Sequence, residues 1–200
     1  MASVRRTVGR FAAAAAVIVL TQGIGLAAFV VAAARLGPES LGAGAFAMAV
    51  VGYAGFVANF GVGPHATRDI GRDPAAAAGI ASEAWTLRLL TSGAVALTLF
   101  VAAPLLAPEP EGRILLQIAA VAVLFDGISG EWAVLGLHRP ALLAVSRLAG
   151  QLVYLLLVVL LLRSGDEAGA RLFVLFSAVS ILITSLLCLV LFVRRAGPVR

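Results

Sequence analysis

The sequence has few residues that carry chemistry and little charge. It contains one cysteine, Cys188, and two histidines, His65 and His138. One cysteine excludes a disulfide or a multi-thiol metal site within a single chain. Charged residues make up only 12% of the chain, hydrophobic residues make up 62%, and the mean hydropathy is +1.06. This leaves too little polar surface to cover a water-soluble globule, so a soluble protein is excluded.

Long apolar runs take the place of the missing polar surface. A bilayer crossing needs roughly 20 residues for a hydrocarbon core of ~30 Å. Phe11 to Ala34 and Leu172 to Val193 are apolar on every side rather than along one stripe, so they are surrounded by lipid or by other helices. The runs lie at residues 11–34, 41–63, 85–107, 114–136, 140–162 and 171–193. We therefore predict an all-α integral membrane protein, with residues 1–200 forming a single bundle of six transmembrane helices.

The basic residues indicate how the chain is oriented. There are 15 of them and the net charge is +5, but they lie near the ends of the apolar runs rather than on one face, which argues against nucleic acid as a partner. Most arginines fall on the cytoplasmic side if the N-terminus is inside, and the outer loops then lie near Pro38, Pro110 and Asp166. We predict a multi-pass protein of the plasma membrane with both termini in the cytoplasm.

The fourth apolar run contains Gly127-Ile128-Ser129-Gly130. This pattern is similar to the one in which rhomboid intramembrane proteases place their nucleophilic serine, with a histidine base from the sixth helix. The sixth run of this chain has no histidine, so Ser129 has no base there. We predict small residues for helix packing or a cavity wall, no catalytic residue, no metal and no cofactor, and hence a protein that is not an enzyme.

Ionisable residues inside the fourth and fifth runs are energetically costly in a bilayer and usually face the bundle interior or water. At 1.5 Å per residue, Glu131 and Arg147 lie roughly 10 Å deep, and Asp126 and Gln151 roughly 16 Å deep. Matching depths on adjacent antiparallel helices predict an ion pair of Glu131 with Arg147 and a hydrogen bond of Asp126 with Gln151. Two roles remain open for these residues: an ion pair that holds the two helices together, or a site for substrate or a coupling ion.

Further polar groups are scattered through the other runs. Gln22 lies near the middle of the first run, and Asn59 lies towards the end of the second. Either residue can line a polar cavity or bond between helices. Arg88, about one turn into the third run, is expected to extend to the membrane interface, with an anionic lipid headgroup as the alternative partner.

Two segments resemble a known family. Residues 34–74 contain LGPESLG, an FG pair and RDIGRDP, and residues 131–162 place Trp132, Gly136 and Arg147 in a similar pattern. They resemble polysaccharide biosynthesis membrane proteins, the oligosaccharide (O-antigen type) flippases of the multidrug/oligosaccharidyl-lipid/polysaccharide exporter superfamily. The similarity covers nearly the whole chain, but its motifs are turn and packing signals rather than catalytic ones.

The resemblance implies transport of a polyprenyl-pyrophosphate-linked glycan to the outer leaflet, by alternating access of two six-helix lobes. A charged headgroup then needs cations and hydrogen-bond donors along its path. Asp126 is the candidate for ion or proton coupling. The candidates for the substrate or its cavity are Gln22, Asn59, Arg88, Asp126, Arg147 and Gln151.

The chain matches only the N-terminal lobe of such proteins. Under this resemblance a second lobe is expected, either from a homodimer or from a partner chain. The alternative is a non-transporting membrane subunit, or a truncated fragment, of a polysaccharide assembly system.

Overall fold

The computed structural model describes residues 2–164 and 168–196, with side chains from residue 16 to 195 outside the same gap. These residues form helices and short connections, and the described ranges contain no strand. The predicted outer loop at Asp166 lies outside the described residues. The helices are α1 (Ala2–Asn59), α2 (Val62–Arg72), α3 (Ala77–Leu106), α4 (Pro110–Gly127), α5 (Glu131–Gly136), α6 (Pro140–Leu161) and α7 (Gly169–Ala196), with a 3-10 turn at Pro74–Ala76.

Five helical segments among the described residues are long and apolar enough to cross a membrane: Ala16–Asn59, Pro74–Leu106, Pro110–Gly136, Pro140–Leu161 and Gly169–Arg195. The first has 44 residues, about twice the length that one crossing requires. It is broken at Gly37, where φ is 74° and ψ is 168°, just before Pro38. We call residues 2–36 arm 1 and residues 38–59 arm 2. The two arms account for the first two predicted spans.

Contacts with α6 and α7 show that the chain reverses between the arms. Gly25 lies against Gln151, and Arg35 Nη1 donates to the carbonyl of Leu162 at 2.7 Å, so arm 1 runs parallel to α6. Gly44 then packs against Phe173, near the start of α7. Arm 2 therefore starts where α6 ends and runs back. We call this side of the bundle the Gly37 end and the opposite side, which carries α2, the α2 end.

The reversal of the chain requires glycine at position 37, and this can be tested. Its φ and ψ lie in a region that is essentially restricted to glycine, so Gly37→Ala should lower the free energy of unfolding by about 1–3 kcal/mol. Gly42→Ala is the matched control, because it lies on arm 2 and its added Cβ would meet no atom within 4 Å. Unfolding of both variants in mixed micelles, followed by circular dichroism, checks this. Equal stability of the two would contradict a strained reversal at Gly37.

The fourth span is not the continuous helix that we predicted over 114–136. α4 ends at Gly127 and α5 begins at Glu131, with Ile128–Gly130 between them. Glycine is a poor helix former, and donors from neighbouring side chains compensate for the lost helical bonds, as described below. A depth counted along a straight helix from the end near Leu137 therefore holds for Glu131 but not for Asp126, which lies on the far side of the break.

The α2 end is closed by an aromatic core. Trp85 packs edge-on against Trp132 and Phe192, with ring centroids 5.1 and 5.3 Å apart. α2 contributes the fully buried Ile70 to this core, and Gly136 on α5 approaches Ile70 so closely that an added Cβ would lie 2.8 Å from its Cβ. α2 thus fixes α5, which carries one wall of the site.

Candidate membrane-embedded site

The break after α4 frees backbone carbonyl groups inside the bundle, where each needs a donor. Trp85 Nε1 donates to the carbonyl of Ile128 at 3.1 Å, and Trp132 Nε1 donates to that of Ser129 at 2.8 Å. Arg88 Nη2 donates to the carbonyl of Asp126 at 2.9 Å. Side chains before and after the break therefore stabilise the interruption and fix the position of Asp126.

Arg88 lies inside the bundle, and the expectation that it extends to the membrane interface is wrong. Its side chain is 6% exposed. Nη1 donates to Asn59 Oδ1 at 3.3 Å and Nη2 to Asp126 Oδ2 at 3.1 Å. A counterion and two oxygen acceptors replace the water around the two Nη atoms, whereas Nε is buried without a hydrogen-bond partner among the described residues. Arg88 thus connects arm 2, α3 and α4 around a buried charge.

Glu131 and Arg147 meet as the depth argument predicts. Arg147 Nε donates to Glu131 Oε1 at 3.0 Å and Nη2 donates to Oε2 at 2.6 Å, a two-pronged carboxylate–guanidinium contact. The side chains of Arg147 and Glu131 are 44% and 26% exposed. This pair joins α5 to α6 while remaining accessible from a cavity.

The predicted bond between Asp126 and Gln151 is absent from the described residues. Asp126 bonds to Arg88. Gln151 Oε1 is buried and has no hydrogen-bond partner among the described residues; it lies against Gly25 of arm 1. The face of α4 that carries Asp126 turns towards Arg88 on α3, which a calculation of depth alone does not reveal.

A cavity of about 800 Å³ lies between arm 2, α2, α3 and the break. We call it the large cavity. It is open to the surface of the bundle. Its polar wall is formed by Asn59, Thr67, Arg88, Asp126, Ser129 and Glu131, and its apolar wall includes Phe56 and Trp132.

A small cavity of about 250 Å³ adjoins it, between arm 1, α6 and α7. Asp126, Ser129 and Glu131 line both cavities, so the break forms the wall between them. The remaining polar groups of the small cavity include Thr21, Gln22, Arg147, Gln151, Ser180 and Thr184. Each residue that the sequence indicated as a cavity candidate therefore lines one of the two cavities.

Sequence reasoning missed several lining residues. Ser180 and Thr184 are four residues apart in the last apolar run, a spacing that places both on one face of a helix, and this was the available signal. No sequence signal indicated Phe56 as a lining residue, because aromatic residues are common in apolar runs.

Residues 10–198 match the family described as polysaccharide biosynthesis protein. The match extends over nearly the whole sequence and includes both cavities. No curated protein and no solved structure matches the chain.

Proposed function

This chain belongs to the polysaccharide biosynthesis protein family, and from that premise we propose that it is one lobe of a flippase for lipid-linked glycans. The observation that carries the proposal is the large cavity, whose wall holds Asn59, Arg88 and Asp126 within membrane-spanning helices. Polar groups at this depth are energetically costly, and those in transporters line the path of the substrate.

The proposed reaction is translocation of a polyprenyl-pyrophosphate-linked glycan across the plasma membrane. The glycan follows a polar path while the polyprenyl tail stays in the lipid. No covalent bond changes, so the protein is not an enzyme and uses no cofactor. Asp126 is the proposed coupling group, because its carboxylate faces both cavities.

In this proposal a second six-helix lobe completes the transporter. The large cavity is open to the surface of the bundle, so this bundle does not enclose it. An enclosed cavity that opens alternately to the two leaflets needs a facing wall. A second copy or a partner chain supplies that wall.

The proposed topology places the α2 end in the cytoplasm, together with both termini. Reporter fusions after Pro38 and Pro110, both at the Gly37 end, should therefore give an extracytoplasmic signal, and a fusion after Arg139 should give a cytoplasmic one. A cytoplasmic signal after Pro110 would contradict six crossings with this orientation.

Activity should depend on the second lobe. We expect no flipping of polyprenyl-linked oligosaccharide in proteoliposomes that hold at most one chain each, and flipping once the protein density allows pairing or a partner is added. A leaflet-accessibility assay measures this, and counting of fluorescently labelled chains in each vesicle controls for stoichiometry.

The possible results separate the candidate functions. Flipping by single chains would contradict the requirement for a second lobe. No flipping at any density, with folded protein and with candidate partners present, would favour a non-transporting subunit of a polysaccharide assembly system.

A further inference from the structure

The large cavity is lined by more negative than positive charge. Among the described residues that line it, Arg88 is the one cation, whereas Asp126 and Glu131 are carboxylates. The small cavity repeats this balance with Arg147 and the same two carboxylates. Neither cavity presents the excess of positive charge that would hold a multivalent anion.

Most arginine donors of the two cavities bond to the protein itself, and Arg88 Nε, which has no partner among the described residues, is buried. Both Nη atoms of Arg88 bond to Asn59 and Asp126. Nε and Nη2 of Arg147 bond to Glu131. A pyrophosphate carries acceptor oxygens and would compete with these carboxylates for the same donors.

The groups that remain accessible suit a different ligand. The Asp126 side chain is 40% exposed and offers a carboxylate acceptor for hydroxyl donors. Phe56 is 82% exposed and places an aromatic ring on the apolar wall. Aromatic faces carry partial negative charge and attract the polarised C–H groups of a sugar ring. The volume of about 800 Å³ lies in the range of cavities that hold compact organic ligands.

We infer that the large cavity binds the uncharged sugar portion of the lipid-linked glycan, and that the pyrophosphate is held outside this lobe's cavities. The inference rests on the proposed function and assigns the parts of its substrate. Asp126 accepts hydrogen bonds from sugar hydroxyls, Phe56 stacks on the ring, and the cations for the pyrophosphate come from the second lobe or the membrane interface.

Equilibrium binding to the full chain in nanodiscs of zwitterionic lipid tests this. The probes are an uncharged alkyl oligosaccharide glycoside and an alkyl diphosphate with the same alkyl chain. Fluorescence of the two tryptophans reports binding, since Trp132 lines the large cavity. The glycoside should give a saturable change in fluorescence. The dissociation constant of the diphosphate should be higher than that of the glycoside by a factor of about ten or more.

Variants assign the binding to this cavity. Phe56→Leu should weaken glycoside binding several-fold, whereas Phe46→Leu, on the same arm but outside the cavity lining, should leave it unchanged. Asp126→Asn should reduce or reverse the preference for the glycoside over the diphosphate, because it removes a negative charge and releases Arg88. Glu131→Gln should reduce the same preference by a smaller factor. It serves as the test if Asp126→Asn fails to fold.

Diphosphate binding equal to or tighter than glycoside binding would overturn the inference, as would the absence of saturable glycoside binding. Binding at equilibrium requires no transport. A chain that binds the glycoside but never flips lipid refutes the proposed function alone, and a flippase that prefers the diphosphate here refutes the inference alone.

Discussion

Replacing Arg88 with methionine should lower the free energy of unfolding by about 2–4 kcal/mol. This is somewhat less than the loss of about 3–5 kcal/mol when a fully buried ion pair is broken, because the Asp126 side chain is 40% exposed. The variant leaves the Asp126 carboxylate without its counterion. It also removes the hydrogen bonds that Arg88 donates to Asn59 Oδ1 and to the Asp126 carbonyl. Denaturation in mixed micelles of detergent and SDS, followed by circular dichroism, measures the loss.

Two comparisons show whether the loss comes from the pair. Arg88→Met combined with Asp126→Asn should recover part of the stability, because the isolated charge is gone. Arg68→Met, at an exposed position on α2, should change the stability by no more than about 0.5 kcal/mol. A loss in Arg88→Met no larger than that in Arg68→Met would refute a structural role for the buried pair.

Gly150→Ala should destabilise the contact between α6 and α7 by about 1–3 kcal/mol, because it overpacks a filled interface. An added Cβ would overlap Thr184 Oγ1 and lie 3.0 Å from the carbonyl oxygen of Ser180. The hydroxyl can rotate with its side chain, but the backbone carbonyl moves only if the two helices separate. The same denaturation measurement gives the loss.

Gly93→Ala is the control for this variant, because its added Cβ would meet no atom within 4 Å. Adding Thr184→Ala to Gly150→Ala should recover part of the loss, since it removes the nearer obstacle and leaves the carbonyl. Wild-type stability in Gly150→Ala would show that α6 and α7 pack less closely than the structure places them.

The crossings were predictable from the sequence because hydropathy is a local property of each segment. The pair of Glu131 with Arg147 was also predictable, since α5 and α6 follow one another in the chain and their inner ends must be near each other. In both cases short connections leave little freedom of arrangement.

The pair of Arg88 with Asp126 was not predictable by the same reasoning. These residues are 38 positions apart, and their meeting depends on which face of α4 turns towards α3. The pattern Gly127-Ile128-Ser129-Gly130 suggested close packing. Nothing in the sequence indicated that indole and guanidinium groups would replace the helical hydrogen bonds lost at the break.

The origin of those replacement donors bears on how the protein is made. Trp85 and Arg88 lie on α3 and precede their acceptors Ile128 and Asp126 in the chain, so they are already synthesised when the interrupted span emerges. Trp132, the donor to Ser129, follows three residues later, on α5. Because chains generally fold from the N-terminus during synthesis, the freed carbonyls meet their partners as the span leaves the insertion machinery. We therefore expect the hairpin of α3 with α4 and α5 to enter the bilayer with the carbonyls of its break already bonded, before α6 and α7 are synthesised.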